Sequence, residues 1–259
     1  MNETSSYGCA PVARLASIRA VLAVAAVNDY EIQQIDIKGA YLNGVLKPEE
    51  VIYMKQAPGY ASSSSTHVYR LRKALYGLKQ AGRRWYERLV DIMTRHLGFS
   101  RCAVDQAVFK RRGVEGGDLI IVLVHVDDCT IVATSSQLIA EFKSAISNHV
   151  DITDLGDIHW LLGIEILRDR PARRLHLSQR SYIDSIIRRY GLQDLKPVSL
   201  PMDPNIRLTS VQSPTTTAQF AQMRDVTNSC TNDASIWVVT HLCCYITEGN
   251  CPRSWAGDG

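Results

Sequence analysis

Two apolar runs, Leu119 to Val124 and Cys129 to Ala133, flank His125-Val126-Asp127-Asp128, and no other feature constrains the chain as strongly. Aliphatic runs this short and this close are buried most readily by folding back on one another, so they predict a hairpin whose tip carries two carboxylates. Aspartate is a common turn residue, and taken alone the pair reads as a solvated turn. A third carboxylate changes that reading. Glu31 to Ile37 predicts a strand running toward a turn near Asn43-Gly44, which puts Asp36 near a strand end 91 residues before Asp127. Carboxylate oxygens suit Mg²⁺ or Mn²⁺, which keep several waters and complete their shells with substrate phosphates, and two such ions can clamp an in-line phosphoryl displacement. The spacing fits a palm-type nucleotidyl transferase. Successive strand residues face opposite sides, so the reading expects Asp127 to share the side of Asp36 and hold the metals, with Asp128 assisting.

The rest of the pattern predicts an α+β chain. Helices are expected over Pro11–Val27, buried on most of its circumference, over Trp85–Leu97, amphipathic, over Gln137–Val150, and over Ser178–Tyr190 with Gly191 just past its end. Further strands are expected at Ala107–Phe109, Trp160–Leu167 and Leu175–Leu177, and the four serines within Ala61–Thr66 predict a flexible loop inside one domain. With 46% hydrophobic and 21% charged residues the chain has the material for a core. No apolar run approaches the ~18 residues of a membrane span, and Met1–Ser6 carries no basic start followed by an apolar stretch, so the expectation is an intracellular chain with its seven cysteines reduced. Net charge is only +3, but Arg70 to Arg95 holds eight basic residues against Glu87 and Asp91, with Tyr76, Trp85 and Tyr86 interleaved. That composition suits either a phosphate backbone or a solvated helix face with its aromatics turned inward.

Four ordered segments go further. Gln34-Ile35-Asp36-Ile37-Lys38-Gly39-Ala40-Tyr41-Leu42-Asn43-Gly44, the stretch Leu71 to Tyr86 containing Leu75-Tyr76-Gly77-Leu78-Lys79-Gln80, Val124-His125-Val126-Asp127-Asp128, and Asp154-Leu155-Gly156-Asp157 leading into Trp160-Leu161-Leu162-Gly163-Ile164-Glu165-Ile166 closely resemble the successive motifs of the reverse transcriptase of Ty1/copia-type LTR retrotransposons. The resemblance runs from about Ala10 to Val226. It implies a right-hand, palm-type polymerase fold with an antiparallel sheet and packed helices, and RNA-directed DNA synthesis from dNTPs on an RNA or DNA template with a primer. It implies two Mg²⁺ or Mn²⁺ ions on Asp36, Asp127 and Asp128. By the same resemblance Tyr41 lies under the incoming sugar, Lys79 and Gln80 face the nucleotide, and Trp160 to Glu165, including Gly163, is the primer-grip hairpin. Arg72, Lys73, Arg83 and Arg84 are expected to bind nucleic acid.

Departures from the family pattern are specific. His125 stands where tyrosine is usual, and Gly82 where proline is commoner. No lysine occurs between Lys143 and Lys196 to protonate the leaving pyrophosphate, and His159 is the expected substitute because imidazole titrates near neutrality. The expected organisation is partial fingers and palm over 1–167 with the fingers truncated, connection and start of a thumb over 168–208, and a divergent, disordered tail over 209–259. Protease, integrase and RNase H parts are expected to be missing. The competing expectation is a decayed fragment that folds poorly or binds nucleic acid without catalysis.

Overall fold

The computed structural model describes residues 10–60, 67–113, 117–191, 193–194, 213–221 and 224. The expected loop at 61–66, residues 195–212 and the tail from 227 lie outside the described residues. The chain divides into two compact units, Met1–Ser178 and Gln179–Gly259.

The first unit is organised by a six-stranded, wholly antiparallel sheet. In chain order its strands are β1 (Glu31–Ile37), β4 (Ser100–Arg101), β5 (Val108–Arg112), β6 (Leu119–His125), β7 (Asp128–Ala133) and β8 (Ile152–Asp157). Their spatial order is β4-β5-β6-β7-β1-β8, so β1 lies between β7 and β8, both far from it in sequence. Alternation sends Ile35, Ile37, Ile120, Val122, Cys129 and Ile131 to one face, where α2 (Ala81–Asp91) and α3 (Ser136–Ser147) cover them with Trp85, Leu89, Ile139, Phe142 and Ile146. Ile32, Leu123 and Val132 face the other way and pack with Ile18, Leu22 and Ala25 of α1 (Leu15–Val27). This is a mixed α and β architecture with antiparallel sheets, as the α+β reading expects.

Two smaller sheets complete the unit. β2 (Tyr53–Lys55) pairs with β3 (Val68–Arg70), and all six residues are exposed. β9 (Trp160–Leu161), β10 (Ile164–Asp169) and β11 (Arg174–Ser178) form the other, in the order β11-β10-β9. That sheet is tied to the start of β1 by charge. Arg170 grips both carboxylate oxygens of Glu31, at 2.9 and 2.8 Å, and reaches Asp29 at 2.9 Å, while Arg168 donates to Asp29 at 3.0 Å and to the Tyr30 carbonyl. In the second unit α4 (Arg180–Arg189) ends at Gly191, whose φ of +65° is the left-handed closure expected there.

Local outcomes differ from the sequence reading for physical reasons. Helix α1 begins at Leu15, and it is buried on one face only, with Val24 and Val27 exposed. Before it, the Ala13 amide donates to the Val124 carbonyl and the Arg14 amide to the Asp105 carboxylate, bonds that tie the extended lead-in to β6 and to the loop before β5. The expected strand Trp160–Leu167 is two strands. Leu162 (φ +51°) and Gly163 (φ +78°) both take positive φ, a two-residue turn that reverses the chain. The helix expected at Trp85–Leu97 starts earlier, at Ala81, and ends in a π-helical turn, Ile92–His96. No helix among the described residues is long and apolar enough to cross a membrane.

Phe142 is fully buried and meets Phe99 edge-on at 5.5 Å between ring centroids. Phe142→Ala is expected to cost about 3–5 kcal/mol in urea unfolding. A second expectation concerns acid. The Arg170 hydrogen bonds hold Asp29 and Glu31 below the usual carboxylate range. The native chain therefore binds fewer protons than the unfolded one in that range, and the network's contribution is present above it and lost as pH falls through it. Arg170→Met should lower the melting temperature at pH 7 and converge on the wild type at low pH in a thermal melt series.

Candidate active site

Antiparallel pairing of β1 with β7 sets Asp36 directly opposite Asp128. Directly opposed residues of an antiparallel pair share a face, so these two carboxylates lie on the side away from α2 and α3. Asp127 is not in phase with either strand. It belongs with Val126 to the two-residue turn closing the β6–β7 hairpin, whose flanking pair is His125 and Asp128. The alternation argument that aligned Asp127 with Asp36 therefore does not run through this segment, and it is Asp128 that the register places across from Asp36. The turn itself lies beside the end of β1, where the Ile37 amide donates to the Asp127 carbonyl at 2.9 Å.

Asp128 feels the other two carboxylates. Burial, then Asp127 and Asp36, push the Asp128 carboxyl above the usual aspartate range. Burial and the same three charges raise the Cys129 thiol, which faces the α2 side. Tyr76, half-exposed, is raised by partial burial and then by Asp127, Tyr41 and Asp36, and its ring centroid lies 5.0 Å from that of Tyr41. Two tyrosines therefore stand next to the acidic group. Tyr41 was legible in sequence, but Tyr76 appeared there only as an aromatic among basic residues and a member of the second motif, with no role given to it. Tyr41 rides on a 3₁₀ turn, Ala40–Asn43, that leaves β1 through Gly39 at φ +57°. The turn packs closely on α2, since a Cβ at Gly44 would stand 2.8 Å from the Trp85 amide nitrogen.

Among the described residues, no group of three or more His, Cys, Asp or Glu is placed to hold a metal by itself. The donor set nevertheless fits Mg²⁺ or Mn²⁺, because these ions take one or two carboxylates and complete their shells from water and substrate phosphate. An acidic group in which Asp128 is raised by burial and by its two neighbours is also short of positive charge.

The remaining expected residues separate. Lys79 is exposed and Gln80 half-buried at the entry to α2. Arg72, Lys73 and Arg83 are exposed, and Arg83 pairs with Glu87. Arg84 is corrected: only 7% exposed, it bonds Glu50 at 3.0 Å and also Glu87, and is a buried structural cation that cannot face a phosphate backbone. Trp160 is about half-exposed (48%) beside the Leu162–Gly163 turn. His159 is far from the carboxylates. The Ile158 amide bonds the Ile32 carbonyl, and His159 lines a cavity with Glu31, Ile32 and Arg168, at the opposite end of β1 from Asp36. At about 3.3 Å per strand residue that is roughly 16 Å away.

A profile of the family described as "Reverse transcriptase (RNA-dependent DNA polymerase)" matches residues 2–204. The chain belongs to this family. It is 39% identical over 217 residues to the Retrovirus-related Pol polyprotein from transposon TNT 1-94 of Nicotiana tabacum, covering 83% of the chain and 16% of that protein. It is 38% identical over 200 residues to the polyprotein from transposon RE2 of Arabidopsis thaliana, covering 77% of the chain and 13% of that protein. It is 27% identical over 181 residues to the putative transposon Ty5-1 protein YCL074W of Saccharomyces cerevisiae, covering 70% of the chain and 57% of that protein. The plant relatives are retrovirus-related Pol polyproteins of transposons and the yeast one a putative Ty5-1 transposon protein, in line with the Ty1/copia-type resemblance of the sequence motifs, and the chain spans about a sixth or less of the two plant proteins. No solved structure matches it.

Because Asp128 carries a raised carboxyl, the native chain holds its proton to higher pH than the unfolded one, and stability falls as pH rises from the usual aspartate range through the raised value. Asp128→Asn removes that cost. In metal-free buffer the variant is expected to melt higher than the wild type at pH 7 and to lose the advantage below the aspartate range, as read by thermal melts at both pH values.

Proposed function

We propose that the chain is the palm-centred core of an RNA-directed DNA polymerase that adds dNTPs to a primer 3′-hydroxyl. The observation that carries the reading is the register pairing Asp36 with Asp128 next to the turn that holds Asp127, in a chain of the reverse transcriptase family. Partial fingers and palm extend to about residue 167, and a thumb begins after it.

Asp36 and Asp127 would hold two Mg²⁺ (or Mn²⁺) ions, with Asp128, whose carboxyl is raised by burial and its neighbours, assisting. When bound, the ions supply positive charge at the attacking and leaving oxygens. In the reaction the primer 3′-oxygen bonds to the α-phosphorus, the bond to the β-phosphate bridge breaks, and pyrophosphate leaves. Tyr41 lies under the sugar and selects against a 2′-hydroxyl by bulk, while Lys79 and Gln80 face the nucleotide. Arg72 and Lys73, exposed and free of ion pairs among the described residues, meet the phosphate backbone, and Trp160 with Gly163 supports the primer end. Base pairing supplies sequence choice, so the protein's own affinity should be electrostatic and fall with salt. His159 has no part in this mechanism, given its place at the far end of β1.

The test is Mg²⁺-dependent dNTP incorporation on primed poly(rA) by the purified chain, beside Asp127→Asn. Incorporation lost in the variant is the expected result. Absence of incorporation in the wild type, with salt-sensitive primer-template binding retained, overturns the catalytic reading in favour of a fragment that only binds nucleic acid.

A further inference from the structure

The turn that carries Asp127 has an unusual backbone. Only its first central residue, Val126, takes positive φ (+62°), the pattern of a type II′ turn, in which glycine is the usual occupant. A β-branched residue in that region is strained by roughly 1–3 kcal/mol and persists only where the surroundings impose it. One side chain contacts the strained peptide directly. Trp85, fully buried in α2, donates its indole Nε1–H to the Val126 carbonyl at 2.8 Å, across 41 residues of sequence. The next carbonyl, that of Asp127, is held by the Ile37 amide. Two successive carbonyls of one turn are thus fixed from two directions, by the helix on one side and by the Asp36 strand on the other. Trp85 is itself fixed: the Gly44 backbone closes on its amide, and its neighbour Arg84 is anchored to Glu50 and Glu87.

We propose that Trp85 is a positioning residue for the catalytic turn: its indole bond holds Val126 at positive φ and so keeps Asp127 in place beside Asp36. It touches no substrate and acts only through the Val126 peptide. Phenylalanine, an apolar but smaller ring, would keep most of the packing with some residual space, but it would leave the Val126 carbonyl without its donor and let the turn relax toward negative φ. Glycine at 126, for which positive φ carries no strain, would lessen the need for the bond.

This rests on the polymerase reading for its kinetic arm, while the second arm is independent of it. Trp85→Phe is expected to lower kcat for primer extension by roughly tenfold or more, the size of a lost hydrogen bond with its acceptor left unpaired, with the KM for dNTP nearly unchanged. Trp85→Phe combined with Val126→Gly should recover most of that kcat. In the second arm, amide hydrogen exchange at Ile37 and Asp128 should accelerate by about tenfold in Trp85→Phe, while Ile131 in the middle of β7 keeps its protection. Unchanged exchange at Ile37 and Asp128, equal acceleration at Ile131, or a double variant no more active than Trp85→Phe each overturns the proposal. If the wild type extends no primer, the polymerase reading fails separately and the exchange results alone decide the role of Trp85.

Discussion

The acidic group exists because of where β1 is forced to lie. Ile35 and Ile37 are both fully buried against the α2 and α3 side chains, and each contributes about 1.5–3 kcal/mol by leaving water. Side chains alternate along a strand, so fixing those two isoleucines inward sends Asp36 to the opposite face. A slip of one residue would expose both isoleucines and bury the carboxylate in the helix-covered core. The same logic operates on β7, where Cys129, Ile131 and Ala133 are buried on the helix side and Asp128 turns away with Thr130. Hydrophobic burial on one face therefore specifies carboxylate placement on the other, against the burial and neighbouring charge that raise Asp128.

What burial cannot set is the third carboxylate. Asp127 lies in a turn, beyond the reach of the pleat, and its position depends on local backbone geometry that its own residues disfavour. The sheet supplies one constraint through the Ile37 amide, and the helix supplies the other through Trp85. Strain in a two-residue hairpin turn is tolerable here because strands β6 and β7 on either side are paired along their length and mostly buried. The rigid hairpin fixes the turn's ends, and the two hydrogen bonds fix its interior.

These differences in origin explain what could be read from the sequence. The strand Glu31–Ile37 and the hairpin around Asp127 were legible to within a residue or so because apolar side chains bounded them, and the three carboxylates came with them. β8 was not, since Ile152–Asp157 has only two apolar residues and is an edge strand held mainly by its backbone pairing with β1. β5 runs on through Lys110 to Arg112, and a basic tail on an apolar run looks like a connection until a partner strand is known. Tyr76 and the Trp85–Val126 bond were hidden for a different reason. Each depends on a meeting between elements dozens of residues apart, and neither leaves a periodic or compositional trace.

Charge was the least legible property, and its redistribution bears on how such a surface would work. Read as composition, Arg70 to Arg95 is one basic segment. In the structure its helical half is largely self-neutralised: Arg83 and Arg84 meet Glu87, Arg88 and Arg95 meet Asp91, and Arg84 also takes Glu50. Those pairs are mostly solvent-exposed and add little stability, so their main effect is to cancel field. Within Arg70 to Arg95, the exposed cations without an ion pair among the described residues are Arg70, Arg72, Lys73 and Lys79, on β3 and the segment between β3 and α2. That segment also carries Tyr76, the aromatic beside the carboxylates. Of the Arg70–Arg95 segment, then, it is the part before α2 that keeps uncompensated positive charge, and that part reaches the acidic group, where an anionic polymer would meet both the field that attracts it and the site that would act on it.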